Sequence, residues 1–323
     1  MQTLSRAPAP AVVAGRPAYR PFRVRVVRVD RLTPTFRQIT LGGDDLDEFG
    51  TDGLDQRVKL ILPAVGQSLP DFDPPTAAES TWYTDWLAIP ADERPAMRTY
   101  TVRRVRPASR EVDIVLVEHE VPGGVQGPAG AWLRRVVPGD EIILVGPDVC
   151  SPERNAGLDW HPGGASSLLL VGDDTAAPAI VAILESLSAR SDLTVQAFVE
   201  VPFPSDRLPA DLADGTAINW LARGELPHGR LLLPTVTAWL DDHPGLIEGA
   251  RVRAPQQLED VDVDRELLWD SPDVEVPGSF YAWIAGEAAM VKTLRRELVT
   301  ERCVDRRRVA FMGYWRLGQA ERS

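Results

Sequence analysis

The amino-acid sequence predicts two domains of different fold class, an all-β domain followed by a doubly wound α/β domain. Its 323 residues suffice for about two domains at roughly 150 residues each. In the first half, short runs alternate apolar and polar residues with a period of two, which is typical of strands with one buried face. After residue 167, continuous apolar runs alternate with helical segments, which is typical of a parallel sheet covered by helices.

The all-β domain is predicted over residues 18–150. Short strand segments separated by Pro, Gly and Asp predict a small closed barrel or a sandwich. These segments are 22–29, 35–41, 58–62, 98–105, 111–117 and 141–145. Residues 64–95 interrupt the series with several prolines and tryptophans, so we interpret them as an insertion.

The α/β domain is predicted over residues 167–319, after a linker at 151–166 that is rich in Pro, Gly and Ser. Strands and helices alternate along it, which predicts a doubly wound parallel sheet. The predicted strands are 168–171, 193–201, 217–221, 280–285 and 308–314, and the predicted helices are 177–187, 231–240 and 287–299. A second insertion is predicted at about 245–278, and its strongly acidic part is interpreted as a solvated loop.

Composition excludes several functional classes. Two cysteines, Cys150 and Cys303, are too few for an iron–sulfur cluster or a Cys-rich zinc site, so electron chemistry here would need an organic cofactor. No segment approaches the roughly 20 apolar residues of a membrane-spanning helix. The net charge of −12 argues against binding to nucleic acid. Without an export signal, the expected compartment is the cytoplasm.

The strand string Arg98-Thr-Tyr-Thr-Val-Arg103 has the residue types that a flavin requires. Arg98 and Tyr100 share one side of the strand, whereas Thr99, Thr101 and Arg103 share the other. A flavin needs an aromatic ring to stack on, a hydroxyl near its N5 atom and an arginine for its diphosphate. The alternative is an ordinary strand that faces solvent.

A second string, Gly127-Pro-Ala-Gly-Ala-Trp132, precedes an apparent helix. Backbone N–H groups at a glycine-rich helix start bind anions such as a diphosphate. A plain helix cap is the alternative. Our candidate cofactor residues here are Gly127, Pro128, Ala129, Gly130 and Trp132, together with His119 at the end of an upstream strand.

With three further strings, at 171–180, 283–287 and 313–318, the sequence resembles the siderophore-interacting protein family from about residue 20 to its end. These are FAD-dependent ferric-siderophore reductases of the ferredoxin-reductase-like superfamily. The resemblance implies a six-stranded antiparallel β-barrel as FAD domain and an NAD(P)-binding domain after it. It also implies an oxidoreductase that passes hydride from NAD(P)H to FAD and then single electrons to Fe(III), releasing Fe(II).

A candidate nucleotide site follows the first buried strand of the second domain. That strand ends at Gly172, and a turn leads into a helix at the carboxyl edge of the sheet, where dinucleotides bind. The resemblance implies a nicotinamide cofactor here, held by residues 172–176, namely Gly172, Asp173, Asp174, Thr175 and Ala176, and by Gly286 and Glu287. Arg223 would suit a 2′-phosphate and Glu200 a ribose hydroxyl, so we favour NADPH and leave NADH open.

Substrate binding should need positive charge, because many ferric siderophores are anionic. The resemblance implies a basic residue beside the flavin at Lys59, and Arg316 is its counterpart near the C-terminus. Both could instead be solvated side chains with buried stems. Two other functions stay open: an NAD(P)H:flavin or quinone-type reductase with another acceptor, and a non-catalytic siderophore- or flavin-binding protein. We expect a monomer, with ferredoxin as an alternative electron donor.

Overall fold

The structure is a computed structural model, and it describes residues 12–50, 53–72, 81–118, 127–213, 216–254, 256–258, 261, 263, 266, 268–272 and 278–318. A closed six-stranded barrel precedes a six-stranded sheet. The prediction of an all-β domain followed by a doubly wound domain is therefore confirmed.

All strand pairs of the barrel are antiparallel, in the closed order β1-β2-β5-β4-β3-β6. Between the two predicted architectures, barrel and sandwich, the chain forms the barrel. Its strands are β1 (Tyr19–Arg31), β2 (Phe36–Gly42), β3 (Arg57–Leu62), β4 (Ala96–Arg106), β5 (Glu111–Val117) and β6 (Glu141–Pro147).

Alternation along the strands fills the barrel. On β1, Phe22, Val24 and Val26 are buried in the barrel core, whereas Arg23 and Arg25 between them are exposed. Helix α2 (Pro128–Leu133) packs against β3 and β4 and adds Trp132 to the same core. The period-two pattern therefore predicted which side chains face inward, because inward and outward positions alternate on every strand.

The insertion at 64–95 covers part of the outer surface of the barrel. It contains helix α1 (Trp82–Ala88), whose Trp86 is fully buried. Trp86 packs with Ile61, Met97 and Ile143, which project outward from β3, β4 and β6. The insertion is thus anchored by apolar contact to β6 and to the two strands that carry Lys59 (β3) and the 98–103 string (β4).

The second domain is a sheet in the order β10-β12-β11-β7-β8-β9, with helices on both faces. The strands are β7 (Ser167–Asp173), β8 (Thr194–Val201), β9 (Ile218–Ala222), β10 (Trp269–Asp270), β11 (Phe280–Glu287) and β12 (Val309–Trp315). The helices are α3 (Ala177–Ser186), α4 (Leu232–Asp242), α5 (Pro244–Glu248) and α6 (Ala288–Arg295), and α6 continues as a π-helical turn over Arg296–Glu301.

Helices cover the two faces of the sheet unequally. Helix α3 and part of the barrel share one apolar cluster with the sheet, and α4, α5 and α6 share the other. Burial on both faces explains why the strands read as continuous apolar runs. All neighbouring strands are parallel except β10, which pairs antiparallel with β12 at the sheet edge.

Among the described residues, part of the acidic segment of the second insertion bonds to the rest of the protein. Trp269 lies in β10, and its neighbour Asp270 accepts hydrogen bonds from Arg295 at 3.0 Å and Arg306 at 3.3 Å. The prediction of a purely solvated loop is therefore wrong for residues 269–270. Charge density alone could not reveal partners that lie 25 and 36 residues further along the chain.

A buried carboxylate, Asp206, ties the sheet domain to the barrel. It is fully buried and accepts bonds from Thr33 Oγ1 at 2.8 Å and from the backbone N–H and hydroxyl of Thr35 at 3.0 and 2.7 Å. It also accepts from the Phe203 N–H at 3.0 Å. Both threonines belong to the β1–β2 connection of the barrel, so one side chain joins the two domains.

We expect Asp206→Ala to lower the free energy of unfolding by about 2–4 kcal/mol, because it leaves several buried donors without an acceptor. Urea denaturation at neutral pH measures this change. Asp206→Asn is the matched control, because its amide oxygen still accepts and the loss should be smaller. An alanine variant within about 0.5 kcal/mol of the wild type would contradict this role for the carboxylate.

Candidate functional site

The outward-facing residues of β4 form a continuous row on the barrel surface. Thr99 lies opposite Lys59 on β3, and the Lys59 Nζ donates to Thr99 Oγ1 at 3.2 Å. Tyr100 instead packs against the barrel core. The predicted alternation of the 98–103 string is therefore present. Its outward-facing threonines lie on the same surface as Lys59.

The same row continues from the barrel surface to the junction with the second domain. Thr101, opposite Arg57, is buried, and its side chain lies beside the hydroxyl of Tyr314 on β12. Burial, together with the nearby carboxylates of Asp55 and Asp159, raises the pKa of Tyr314 well above its ordinary value. In the part of the chain that the structure describes, this buried hydroxyl makes no hydrogen bond of normal geometry.

The two arginines of the string have different partners. The Arg103 guanidinium bonds both carboxylate oxygens of Glu185 on α3, at 2.7 and 2.8 Å, and also the Pro209 carbonyl at 3.2 Å. Arg98 donates to the Met97 carbonyl at 2.7 Å. Arg103 therefore clamps the barrel to the first helix of the sheet domain. Diphosphate binding by either arginine stays a prediction.

The second string forms the start of α2 rather than a loop before it. Gly127 is the N-cap residue and Pro128 occupies the first turn; both are exposed, and Ala129 and Gly130 are half-buried. Trp132, in contrast, lies in the barrel core at 1% exposure. The first four residues can thus meet a ligand on the surface, whereas Trp132 supports the helix from below. His119 lies outside the described residues.

At the carboxyl edge of the sheet, Asp173 organises the chain around the predicted nucleotide site. It is fully buried and accepts from the Thr175 N–H at 3.0 Å and the Thr175 hydroxyl at 2.6 Å. It also accepts from the Glu287 N–H and the Trp315 indole N–H, each at 2.8 Å. The structure therefore brings the 172–176 turn, Glu287 and the C-terminal string together around one carboxylate.

Two glycines allow this close approach. A Cβ atom at Gly172 would lie 2.5 Å from the Cβ of Ala176 and 2.8 Å from the Ala285 carbonyl oxygen. Gly286 has φ +142°, and a Cβ there would lie 2.7 Å from the Asp173 carboxyl carbon. Glycine is required at both positions, because any side chain would separate α3 and β11 from the end of β7.

Two further carboxylates at this edge cap helices. Glu200 is fully buried and accepts from the backbone N–H groups of Gly229, Leu231 and Leu232, at 2.7, 3.1 and 3.1 Å, at the start of α4. Glu287 caps α6 in the same way. Both oxygens of the Glu200 carboxylate are occupied by these N–H groups, which argues against the predicted bond to a ribose hydroxyl. A carboxylate at a helix N-terminus stabilises the unpaired N–H groups there.

Arg223, which follows β9, points at the same turn. Its Nη1 atom lies 3.5 Å from Oδ2 of Asp174, and its side chain is 10% exposed. Burial raises the pKa of Asp174 to about 8, and the charge of Asp173 adds to this effect, whereas Arg223 opposes it. The structure thus pairs the residue predicted for a 2′-phosphate with a buried carboxyl group.

Another buried carboxylate, Asp55, joins the barrel to the linker and the sheet. It accepts from the backbone N–H groups of Asp159 at 3.1 Å and Trp160 at 3.3 Å, and from the Trp283 indole at 2.8 Å. Burial and the charge of Asp159 raise the pKa of Asp55 to about 6, although the bonds from the Trp283 indole and the Asp159 N–H lower it. Around it, Arg57 lies 4.2 Å above the Trp269 ring.

Asp55 makes the stability of the protein depend on pH in a defined direction. Its folded pKa of about 6 exceeds its ordinary value of 3.8, so the fold favours the protonated form. Ionisation of Asp55 therefore lowers the free energy of unfolding. This loss is small near pH 4 and reaches about 2–3 kcal/mol once the pH has risen through 6. We expect Asp55→Asn to be more stable relative to wild type at pH 7 than at pH 4, by that amount.

Urea denaturation of both proteins from pH 4 to 7 measures this difference. Asp192→Asn, which removes an exposed carboxylate paired with Arg190, is the control and should show no such trend. A constant difference between Asp55→Asn and wild type across this range would contradict the raised pKa of Asp55.

These contacts bring most of the candidate residues into two neighbouring groups. Lys59, Thr99 and Thr101 follow one surface of the barrel up to Tyr314, and Arg316, half-buried, comes two residues after that tyrosine. The turn at 172–176 and Arg223 lie across the sheet edge, linked to the same strand by the bond from Trp315 to Asp173. Hydroxyls, a buried phenol and a glycine-proline helix start are a donor set that fits a flavin dinucleotide.

Within the described ranges, no group of three or more His, Cys, Asp and Glu side chains could hold a metal ion. Over the same residues, no helix is both long and apolar enough to cross a membrane.

Sequence profiles of known families match both domains. The profile of the siderophore-interacting FAD-binding domain matches residues 25–151, and that of the siderophore-interacting protein matches residues 165–318. An uncharacterised protein of Mycobacterium tuberculosis is 33% identical over 314 residues, covering 96% of this chain and 94% of the relative. The NADPH-dependent ferric-chelate reductase of Escherichia coli is 28% identical, covering 90% and 91%, and the ferric vibriobactin reductase of Vibrio cholerae is 25% identical, covering 91% and 89%.

Solved structures agree with these matches. A siderophore utilization protein from T. fusca superposes with a TM-score of 0.68 at 27% identity, covering 95% of this chain and 97% of that chain. A ferredoxin reductase of carbazole 1,9a-dioxygenase shares the fold, with a TM-score of 0.54 at 15% identity, covering 92% and 70%. The two-domain architecture is therefore ferredoxin-reductase-like.

Proposed function

The chain belongs to the siderophore-interacting protein family, and from this premise we propose that it reduces ferric siderophores with NADPH through a bound FAD. Bound FAD would supply the conversion of a two-electron donor into the single electrons that ferric iron accepts. The observation that carries the proposal is the position of Thr101, buried at the junction of the two domains beside Tyr314. A group held there would lie between the nucleotide edge of the sheet and the basic surface at Lys59.

The residues proposed for FAD are those around the β4 row. Tyr100 and Thr101 would hold the ring system, and Arg98 with the start of α2 would hold the diphosphate. The packing of α2 against β3 and β4 supports this division, because it brings the start of α2 near the strand that carries the 98–103 string. Arg103 has a positioning role in our account, since its bidentate bond to Glu185 fixes α3 against the barrel.

The proposed nucleotide site is the turn at 172–176 with Gly286, Glu287 and Arg223. Arg223 supports NADPH over NADH, because a guanidinium recognises the 2′-phosphate that only NADPH carries. The similar E. coli protein, which is named as NADPH-dependent, gives the same indication. Gly172 and Gly286 support this site by letting α3 and β11 pack closely against the end of β7, where the turn begins.

Lys59 and Arg316 would attract the negative charge of a ferric siderophore towards the domain junction. Neither residue needs to transfer a proton, because the reaction at iron is an electron transfer. The product Fe²⁺ is a poorer match than Fe³⁺ for the hard oxygen ligands of a siderophore, so reduction releases the metal.

The proposal is tested by anaerobic turnover with a ferric catecholate complex and a chelator that traps Fe²⁺. We expect trapped Fe²⁺ to accumulate with NADPH, and more slowly with NADH. Reduction of a quinone but of no ferric complex would contradict the proposed substrate and favour another acceptor. A protein that binds FAD and a ferric siderophore yet oxidises neither nucleotide would contradict an enzymatic role with these donors.

A further inference from the structure

Two adjacent buried carboxyl groups stand at the proposed nucleotide site, and only one of them is fully hydrogen-bonded. Asp173 accepts four hydrogen bonds, described above. Asp174 is also fully buried, but its Oδ1 atom has no hydrogen-bond partner among the described residues. A buried carboxylate oxygen without a donor is costly, and a proton on that oxygen removes the charge that makes it so.

Among the described residues, Arg223 is the one cation that faces Asp174, and it is held weakly. Arg223 approaches Oδ2 at 3.5 Å, longer than the roughly 2.7–2.9 Å of a strong charge-assisted bond. The Arg223 side chain is 10% exposed, so part of that side chain is open to a ligand. One arginine is thus positioned between a buried carboxyl group and the surface on which a nucleotide phosphate would lie.

We propose that Asp174 sets the affinity of the site for a 2′-phosphorylated nucleotide by competing with its phosphate for Arg223, and that it takes up one proton when the phosphate binds. This inference rests on the proposed nucleotide function of the site. Ionised Asp174 would hold Arg223 inside the protein. Protonated Asp174 is neutral and leaves the guanidinium to the phosphate, so the proton comes from solvent and no covalent bond changes.

The surrounding charges support this competition. Asp173, on the same turn, disfavours a second negative charge and so favours the proton on Asp174. On the neighbouring elements, Glu200 of β8 and Glu287 of β11 are occupied by backbone N–H groups. His228, before α4, lies against Trp315, with ring centres 4.7 Å apart. A raised pKa of about 8 places the titration of Asp174 within a pH range that binding measurements reach.

Calorimetric titration of the full chain with NADP⁺ at pH 7, 8 and 9 tests the proposal. Each pH is measured in two buffers of different ionisation enthalpy, which gives the number of protons taken up. If only the protonated form binds, Kd should rise roughly tenfold from pH 7 to pH 9, with proton uptake near one-half at pH 8. NAD⁺, which lacks the 2′-phosphate, should show neither effect.

Asp174→Asn should bind NADP⁺ with a Kd that changes less than twofold over the same range and with no proton uptake. Asp192→Asn, at an exposed pair with Arg190, is the matched control and should behave as wild type. Wild-type binding of NADP⁺ without pH dependence or proton uptake overturns this inference and leaves the proposed function intact. Failure of the wild type to bind NADP⁺ at any pH overturns the proposed donor itself. The wild-type data decide the matter even if Asp174→Asn does not fold.

Discussion

Reversing the charge of both Lys59 and Arg316 with glutamate is expected to lower kcat/KM for an anionic ferric siderophore by about 100-fold or more. Two acidic side chains would face a negatively charged substrate, and juxtaposed like charges cost several kcal/mol. A small neutral quinone should lose less than about threefold, because it has no net charge to attract. Steady-state rates with both acceptors at equal NADPH measure the difference.

Two controls separate this effect from general damage. Reversal of Arg190, an exposed arginine of the sheet domain paired with Asp192, should leave both rates unchanged. The neutral variant Lys59→Met with Arg316→Met should lose less ferric activity than the double glutamate. Equal losses for the ferric siderophore and the quinone would contradict electrostatic binding by these two residues.

Asp173→Ala is expected to be among the most destabilising single substitutions in the sheet domain. It would remove the acceptor of four hydrogen bonds, from the Thr175 N–H and hydroxyl, the Glu287 N–H and the Trp315 indole. Buried donors left unpaired cost about 1–3 kcal/mol each before relaxation, so we expect a loss of about 3–5 kcal/mol in the free energy of unfolding.

Urea denaturation followed by tryptophan fluorescence measures this loss. Asp173→Asn should lose less, because its amide oxygen still accepts. A loss below about 1 kcal/mol for the alanine variant would show that Asp173 does not organise this edge of the sheet.

The sequence predicted most of the fold because period and burial are local properties. On β1 the alternation of Phe22, Val24 and Val26 with arginines fixes which face is buried. Strands such as β7 contain continuous apolar runs because helices cover both faces of the sheet. Strand β10 was missed, because two residues that pair with a distant strand carry no period of their own.

The candidate site was predicted less completely because its contacts are distant in sequence. Arg103 and Glu200 have side chains that suit cofactor binding. In the structure, however, Arg103 bonds a carboxylate 82 residues away, and Glu200 caps a helix that starts about 30 residues later. Asp55 had no signal at all, since its donors are 104 to 228 residues away. Tyr314 lay within a string that marked the family, yet only the structure placed its hydroxyl beside Thr101.

Anaerobic absorbance spectroscopy of the protein reconstituted with FAD tests the central claim most directly. NADPH is added first and a ferric siderophore second, while the visible absorbance of the flavin is followed. We expect NADPH to bleach this absorbance and the ferric complex to restore it as Fe²⁺ appears. A flavin that stays oxidised with NADPH, or stays bleached after the ferric complex is added, would contradict the account.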